Sequence, residues 1–126
     1  QDAPKLPVVS DEEGWRRMCY GPQARPPMLG SVLQLDAKSV GLVIVLFATM
    51  FHDDLLAEPP VRDHRACCWL FSLLAAADEP APPDVCAALR SLLRTLCTWR
   101  SSMESAEDPW LPHVSMLIAV LGRHFG

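Results

Sequence analysis

Proline placement constrains this chain more than any other feature. Twelve prolines occur in 126 residues, about twice the usual ~5%, yet they form no low-complexity tract. They punctuate it, at 22, 26–27, 59–60, 80, 82–83, 109 and 112, with two more at 4 and 7. The pyrrolidine ring fixes φ and removes the amide donor, so proline suits the first turn of a helix and breaks its interior. The prolines therefore punctuate helices, marking where one ends or the next begins.

Ser10 with Glu13 three residues later reads as a capping box for a short helix through about Tyr20, carrying Trp15, Met18 and Cys19. Gly21-Pro22 ends it. Pro26-Pro27 open a helical turn or two from Met28 to Leu35, and Asp36 is a suitable N-cap for a longer helix from Ala37 to about His52. The β-branched run Val40–Val45 has strand propensity, but its length and its cap favour helix. Pro59-Pro60 precede a helix to about Ala77, with Ala66, Trp69, Leu70, Leu73, Leu74 and Ala77 on one stripe. Pro82-Pro83 open the next, where Val85, Leu89, Leu92, Leu96 and Trp99 share a face. Pro112 starts the last, which runs to about His124. The expected fold is all-α, a single bundle of five to six helices: residues 1–9 are a tail and residues 10–126 a helical partner-binding domain. Trp69, Leu73, Leu92 and Leu96 are its expected centre, on two consecutive antiparallel helices.

Composition narrows the class. Half of the residues are hydrophobic and mean hydropathy is +0.14, so the chain folds. Lys and Arg number 11 against 15 Asp and Glu, a balance of −4, which disfavours a general nucleic-acid or anionic-membrane surface. No direct specific nucleic-acid binding and no membrane are expected, since the apolar runs Val40–Phe51 and Ala66–Ala77 fall short of the ~20 residues that span a bilayer. Cys19, Cys67, Cys68, Cys86 and Cys97 are odd in number and without scaffold spacing, which fits a reducing compartment. The expected location is cytoplasmic and nuclear.

Chemistry is hard to find. There is no Gly-rich phosphate loop, nucleophile elbow or paired-cysteine zinc spacing. His52-Asp53-Asp54 and Asp63-His64 read as solvated helix ends, and Cys67-Cys68 as small hydrophobes in a helix. No catalytic residue, metal or cofactor is expected. Arg90 and Arg94, one turn apart, could meet an acidic partner or simply face solvent. The apolar excess says more: the helices over Val40–Phe51 and Val114–Leu121 are apolar almost all round, so either the core is unusually greasy or a helix from a partner completes it. One expected seat is a groove between the Trp15 helix and the last helix, walled by Trp15, Cys19, Met116 and Val120, with His113 and Arg123 fixing the partner's direction. The alternative is that these two helices pack on each other.

Several blocks resemble one family. Asp11-Glu12-Glu13-Gly14-Trp15-Arg16-Arg17-Met18-Cys19, Pro27-Met28-Leu29 with Ser31-Val32, Cys68-Trp69-Leu70-Phe71-Ser72-Leu73-Leu74-Ala75 with Glu79-Pro80, Ala88-Leu89-Arg90-Ser91-Leu92-Leu93-Arg94-Thr95-Leu96-Cys97, and Pro112 with Leu121-Gly122-Arg123-His124-Phe125 follow in order. Together they are similar to the C-terminal helical domain of the SMN-interacting family of the Gemin group, the second Gemin of the survival-of-motor-neuron complex. The resemblance implies a non-catalytic scaffold in spliceosomal snRNP assembly that binds an amphipathic SMN helix and Sm proteins. Cys68 departs from it, standing where the family pattern commonly has Arg. The competing class is a helical-hairpin interaction module of the HEAT or armadillo kind, which needs a repeat; none is visible at 34 to 47 residues.

Overall fold

Aspartate side chains, more than prolines, set where the helices begin. The computed structural model describes residues 5–22, 24–27 and 29–125. They form six helices and no strand: α1 (Glu12–Cys19), α2 (Leu29–Val32), α3 (Ala37–Leu56), α4 (His64–Ala76), α5 (Pro83–Ser101) and α6 (Leu111–Gly122). The all-α bundle is as expected, α2 being a single turn. The cap of α1 moves by one residue: Asp11, not Ser10, accepts the Gly14 amide at 3.0 Å. Asp36 caps α3 through the Ser39 amide at 2.8 Å. Pro59-Pro60 do not open α4. The chain stays irregular to Asp63, whose Oδ1 accepts the amides of Arg65 at 2.9 Å and Ala66 at 3.1 Å, because a carboxylate satisfies free first-turn amides that proline can only omit. Only α5 and α6, with prolines in their first two positions and no side-chain cap, start as proline placement predicts. The turn expected from Met28 contracts to α2, and Met28 itself lies outside the described residues.

Packing departs from the expectation in one respect. Trp69, Leu73, Leu92 and Leu96 are all fully buried, but α4 and α5 share no principal interface. Instead α3 packs on α5 and α4, and α6 packs on those same two helices. The polypeptide between α4 and α5 thus joins opposite corners of a four-helix core. Side-chain contacts give the directions. Gly41 and Val85, each early in its helix, approach so closely that a Cβ on Gly41 would lie 2.8 Å from Val85 Cγ2, and the later halves of α3 and α5 line one groove. These two helices therefore run parallel. So do α4 and α6, tied at their starts by His64 and His113 and at their ends by His124 on the Leu74 carbonyl at 3.2 Å. Consecutive helices still run antiparallel, and α3 with α4 and α5 with α6 pack as such neighbours; α4 and α5 do not, because covering α3 on several sides needs both of them against it.

The apolar excess is spent mostly inside. α3 is long and apolar enough to cross a bilayer by length and composition, but half of that stretch is buried in the bundle, as befits a core helix. Residues 5–9, expected as a tail, lie against the bundle: Leu6 and Val9 pack on the core, and the Val8 carbonyl accepts the Trp15 indole N–H at 3.0 Å. Trp15 meets Trp69 edge-on at 6.2 Å and Phe47 at 6.4 Å.

Two outcomes test this arrangement. Trp69→Ala should cost about 3–5 kcal/mol in a denaturant melt, as for aromatic truncation in a core; an unchanged midpoint contradicts its placement. Hydrogen bonds from Ser39 hold the Asp36 carboxyl below its ordinary value. A folded-state value that is lowered contributes stability above the unfolded pKa of roughly 4 and loses it as pH falls through the folded value. The melting-temperature gap between wild type and Asp36→Ala should therefore be present at neutral pH and close in acid; a gap independent of pH contradicts the cap.

Candidate functional site

The last turn of α3 builds one wall of a groove. Its Asp54 is buried and takes a two-point grip from Arg16 of α1, at 3.0 and 3.3 Å. Burial works against the Arg16 charge, but hydrogen bonding and attraction from Asp54 outweigh it and raise its pKa. Burial first, and the Asp54 carboxylate second, push the neighbouring Tyr20 phenol well above its ordinary value. The Asp54 carbonyl accepts the amides of both Ala57 at 3.3 Å and Val61 at 2.8 Å, folding residues 57–61 back over the helix end. Asp63 fastens the far side: besides capping α4, its second oxygen accepts the Gly21 amide at 2.8 Å. Gly21 has φ +79°, a left-handed turn that glycine makes at little cost. Arg65 donates to the Gly21 carbonyl at 3.1 Å. Between these anchors Arg62 stands with its guanidinium 5.8 Å from the Trp99 ring centroid.

The opposite wall is α5. Ser91, Arg94, Thr95, Thr98 and Ser102 recur at i, i+3, i+4, i+7 and i+11 and form one stripe about 16 Å long at 1.5 Å per residue. With His52, Leu55, Leu56, Pro60 and Arg62 they enclose a groove of about 470 Å³ floored by Trp99. Trp99 belongs to the core, only 5% exposed, whereas Leu56 is 68% exposed. The Thr95 and Ser102 hydroxyls are turned onto backbone carbonyls, Ser91 O at 3.1 Å and Trp99 O at 2.6 Å, which mutes the polarity of that wall. Among the described residues no carboxylate lines the groove. It can hold the apolar face of a helix, with cations at its rim.

The residues expected to bind a partner scatter. Trp15 and Cys19 are fully buried, Val120 is buried, and Met116 is 46% exposed. α1 packs on α4, while α6 packs on α4 and α5, so Trp15 and Cys19 do not form a wall with α6. Met116 and Arg123 are exposed and His113 half-buried on α6. Arg90 and Arg94 are exposed, and no ion pair involves either among the described residues. Of the residues singled out from sequence, Arg94 alone reaches the groove. Leu56 and Arg62 went unnoticed and Trp99 was read only as part of the apolar face of α5, since 43 positions separate Leu56 from Trp99 and periodicity reports only on neighbours within one helix.

A second cluster also escaped notice. His64 and Cys68 stand at i and i+4 on α4, and His113 of α6 closes on them: His64 Nδ1 lies 2.6 Å from His113 Nε2, and His64 Nε2 lies 3.9 Å from Cys68 Sγ. These donors face opposite sides of the His64 ring and do not converge on one point. Among the described residues no group of three or more His, Cys, Asp or Glu side chains could hold a metal ion.

Thiol reactivity follows from burial. Burial pushes the Cys67 thiol up to about 12 and Cys19 higher still, each helped by Asp63, while Cys97 is exposed. Iodoacetamide at pH 8 followed by mass mapping should modify Cys97 first and spare Cys19 and Cys67 until the chain unfolds. Equal rates contradict the packing of α1 on α4.

The sequence profile of the family described as survival motor neuron (SMN) interacting protein 1 matches residues 1–126. The chain is similar to Gem-associated protein 2 of Dictyostelium discoideum, 28% identical over 102 residues covering 80% of this chain and 30% of the relative. It is also similar to Gem-associated protein 2 of Xenopus laevis, 23% identical over 143 residues covering 95% of this chain and 53% of the relative. The protein of the same name from Mus musculus is 22% identical over 142 residues, covering 95% of this chain and 51% of the relative. The chain thus spans from under a third to about half the length of these relatives.

Proposed function

Since this chain belongs to the SMN-interacting protein 1 family, we propose that it is a non-catalytic scaffold of the SMN complex that holds an amphipathic SMN-type helix and contacts Sm proteins during snRNP assembly. The groove beside α5 carries this reading. An amphipathic helix presents apolar residues at i, i+3, i+4 and i+7 to an apolar trough, and this groove offers one of matching length, with Leu55, Leu56 and Trp99 for contact. Leu56, large and 68% exposed at the end of α3, supplies apolar area for such a helix at the edge of the trough. The residues with chemistry do not assemble a reaction centre: the Arg16–Asp54 pair and Asp63 are used up in holding loops together. Five free thiols fit action in the cytoplasm and nucleus.

A fluorescent SMN-type helix peptide, titrated by anisotropy, tests this. Leu56→Asp should weaken binding roughly tenfold or more and leave the melting temperature unchanged, because the side chain supports nothing in the free fold. An unchanged affinity, or a loss produced by Met116→Asp on α6 instead, overturns the assignment of the groove.

A further inference from the structure

We infer that Cys68 is a site of reversible modification by low-molecular-weight disulfides, with His64 as the base that takes its proton and His113 as the residue that positions His64. The inference is independent of the groove beside α5 and lies on α4 and α6. His64 and Cys68 stand one turn apart on one face of α4, with Sγ 3.9 Å from His64 Nε2. The opposite ring nitrogen, Nδ1, lies 2.6 Å from His113 Nε2, and the two rings cross at 83° with centroids 4.7 Å apart. His113 is itself held ring to ring by Trp110 at 5.3 Å, and Trp110 by Trp99 at 5.8 Å. A nucleophile, a base within reach of it and a third group that orients the base form the arrangement that activates a thiol.

Donors on opposite sides of one imidazole cannot converge on a metal, but in series they can pass a proton. Two neutral imidazoles facing each other at this distance share one proton. Where His64 Nδ1 carries it, Nε2 is left bare toward the thiol; His113 Nδ1, buried and without a hydrogen-bond partner among the described residues, is unpaired in either tautomer. Taking the thiol proton turns His64 into an imidazolium whose Nδ1–H donates a charge-assisted bond to His113. The other titratable and charged groups around the pair are already engaged or neutral. Asp63 accepts the Gly21, Arg65 and Ala66 amides, and Arg65 donates to the Gly21 carbonyl. Burial pushes the Cys67 thiol up to about 12 and keeps Cys19 and Tyr20 protonated as well.

Neither of the other accessible thiols combines these features. Cys86 donates to the Ala81 carbonyl at 3.2 Å, which is too weak a base to take the proton. Cys97 is exposed with no imidazole in hydrogen-bond contact among the described residues. Cys68 is half-buried and His64 exposed, so a small disulfide reaches both. In the exchange the thiol proton passes to His64 Nε2 and the thiolate attacks one sulfur of R–S–S–R. That S–S bond breaks as the bond to Cys68 Sγ forms, and the departing thiolate recovers the proton from His64 and leaves as R–SH. The disulfide is the oxidant, and a free thiol reverses the step.

The experiment uses the intact, reduced chain and hydroxyethyl disulfide, an uncharged probe, with mass mapping of the adducts after brief exposure at about pH 8.5 and about pH 6.5. Cys97 has to release its proton to solvent and should slow steeply toward acid, so the ratio of Cys68 to Cys97 modification should rise roughly fivefold or more at the lower pH. Added thiol should release the Cys68 adduct. His64→Gln should abolish the rise and leave the rate at Cys97 unchanged, while His113→Gln should reduce it, since the base remains and its orientation is lost. Cys19 and Cys67 report the fold throughout, staying unmodified while α1 and α4 are packed. A second measurement needs no histidine variant: Cys68→Ala should change the His64 ring signals in a pH titration followed by NMR and leave those of His52 in place. A ratio independent of pH would overturn the inference. So would a rise that survives His64→Gln with Cys19 and Cys67 unmodified, or His64 signals indifferent to Cys68→Ala.

Discussion

The edge-on contact between Trp15 and Trp69, with Phe47 completing the triangle, is the constraint on which the remaining structure depends. α1 is eight residues long, too short to persist alone in water, and it is held by burying its one tryptophan between α3 and α4. Each indole keeps its N–H satisfied by a loop carbonyl, Trp15 by Val8 at 3.0 Å and Trp69 by Arg25 at 2.7 Å. A buried polar group without a partner costs roughly 1–3 kcal/mol, so these two bonds also fix the paths of the segments on either side of α1.

Consequences run outward from that triangle. Seating Trp15 brings the next residue, Arg16, to Asp54, seven positions along α3 from Phe47. With Asp54 anchored, its carbonyl gathers the amides of Ala57 and Val61, and the loop so formed delivers Arg62 to the Trp99 ring. The groove wall is thus the last link of a chain that begins in the core. The parallel course of α3 and α5 matters as much. It places the end of one helix beside the end of the other, so Leu56 and Thr98 face across a shared trough. An antiparallel pair would have set Leu56 beside the start of α5.

Much of the fold was legible from sequence because it rests on local rules. Asp36 before an apolar run, Pro83 at the head of α5 and the stripe through Trp69 and Leu73 each depend on residues within one or two turns. The start of α4 was misread for an equally local reason: Pro59-Pro60 give a louder signal than Asp63, but a carboxylate that satisfies two amides decides the boundary. Trp15 and Cys19 illustrate a different limit. Periodicity reveals that a face is apolar and is silent on what covers it, so of the residues expected to meet a partner Trp15 proved to be covered by Trp69 and Phe47 and Cys19 to be fully buried. The groove was illegible as a unit, since it combines the end of α3, a loop ordered by Arg16 through Asp54, and a stripe of α5 whose hydroxyls look like an ordinary solvated face.

The central claim is that a partner helix lies in the trough between the ends of α3 and α5. Chemical-shift mapping on the isotope-labelled chain tests it most directly, by titrating an unlabelled SMN-type helix peptide and following the backbone amides together with the four indole N–H signals. The account predicts that the largest shifts fall on His52, Leu56, Arg62 and Thr98 and on the Trp99 indole, with the Trp15 and Trp69 indoles unmoved in the core. Shifts concentrated on Met116 to Arg123, with the groove residues silent, would contradict it.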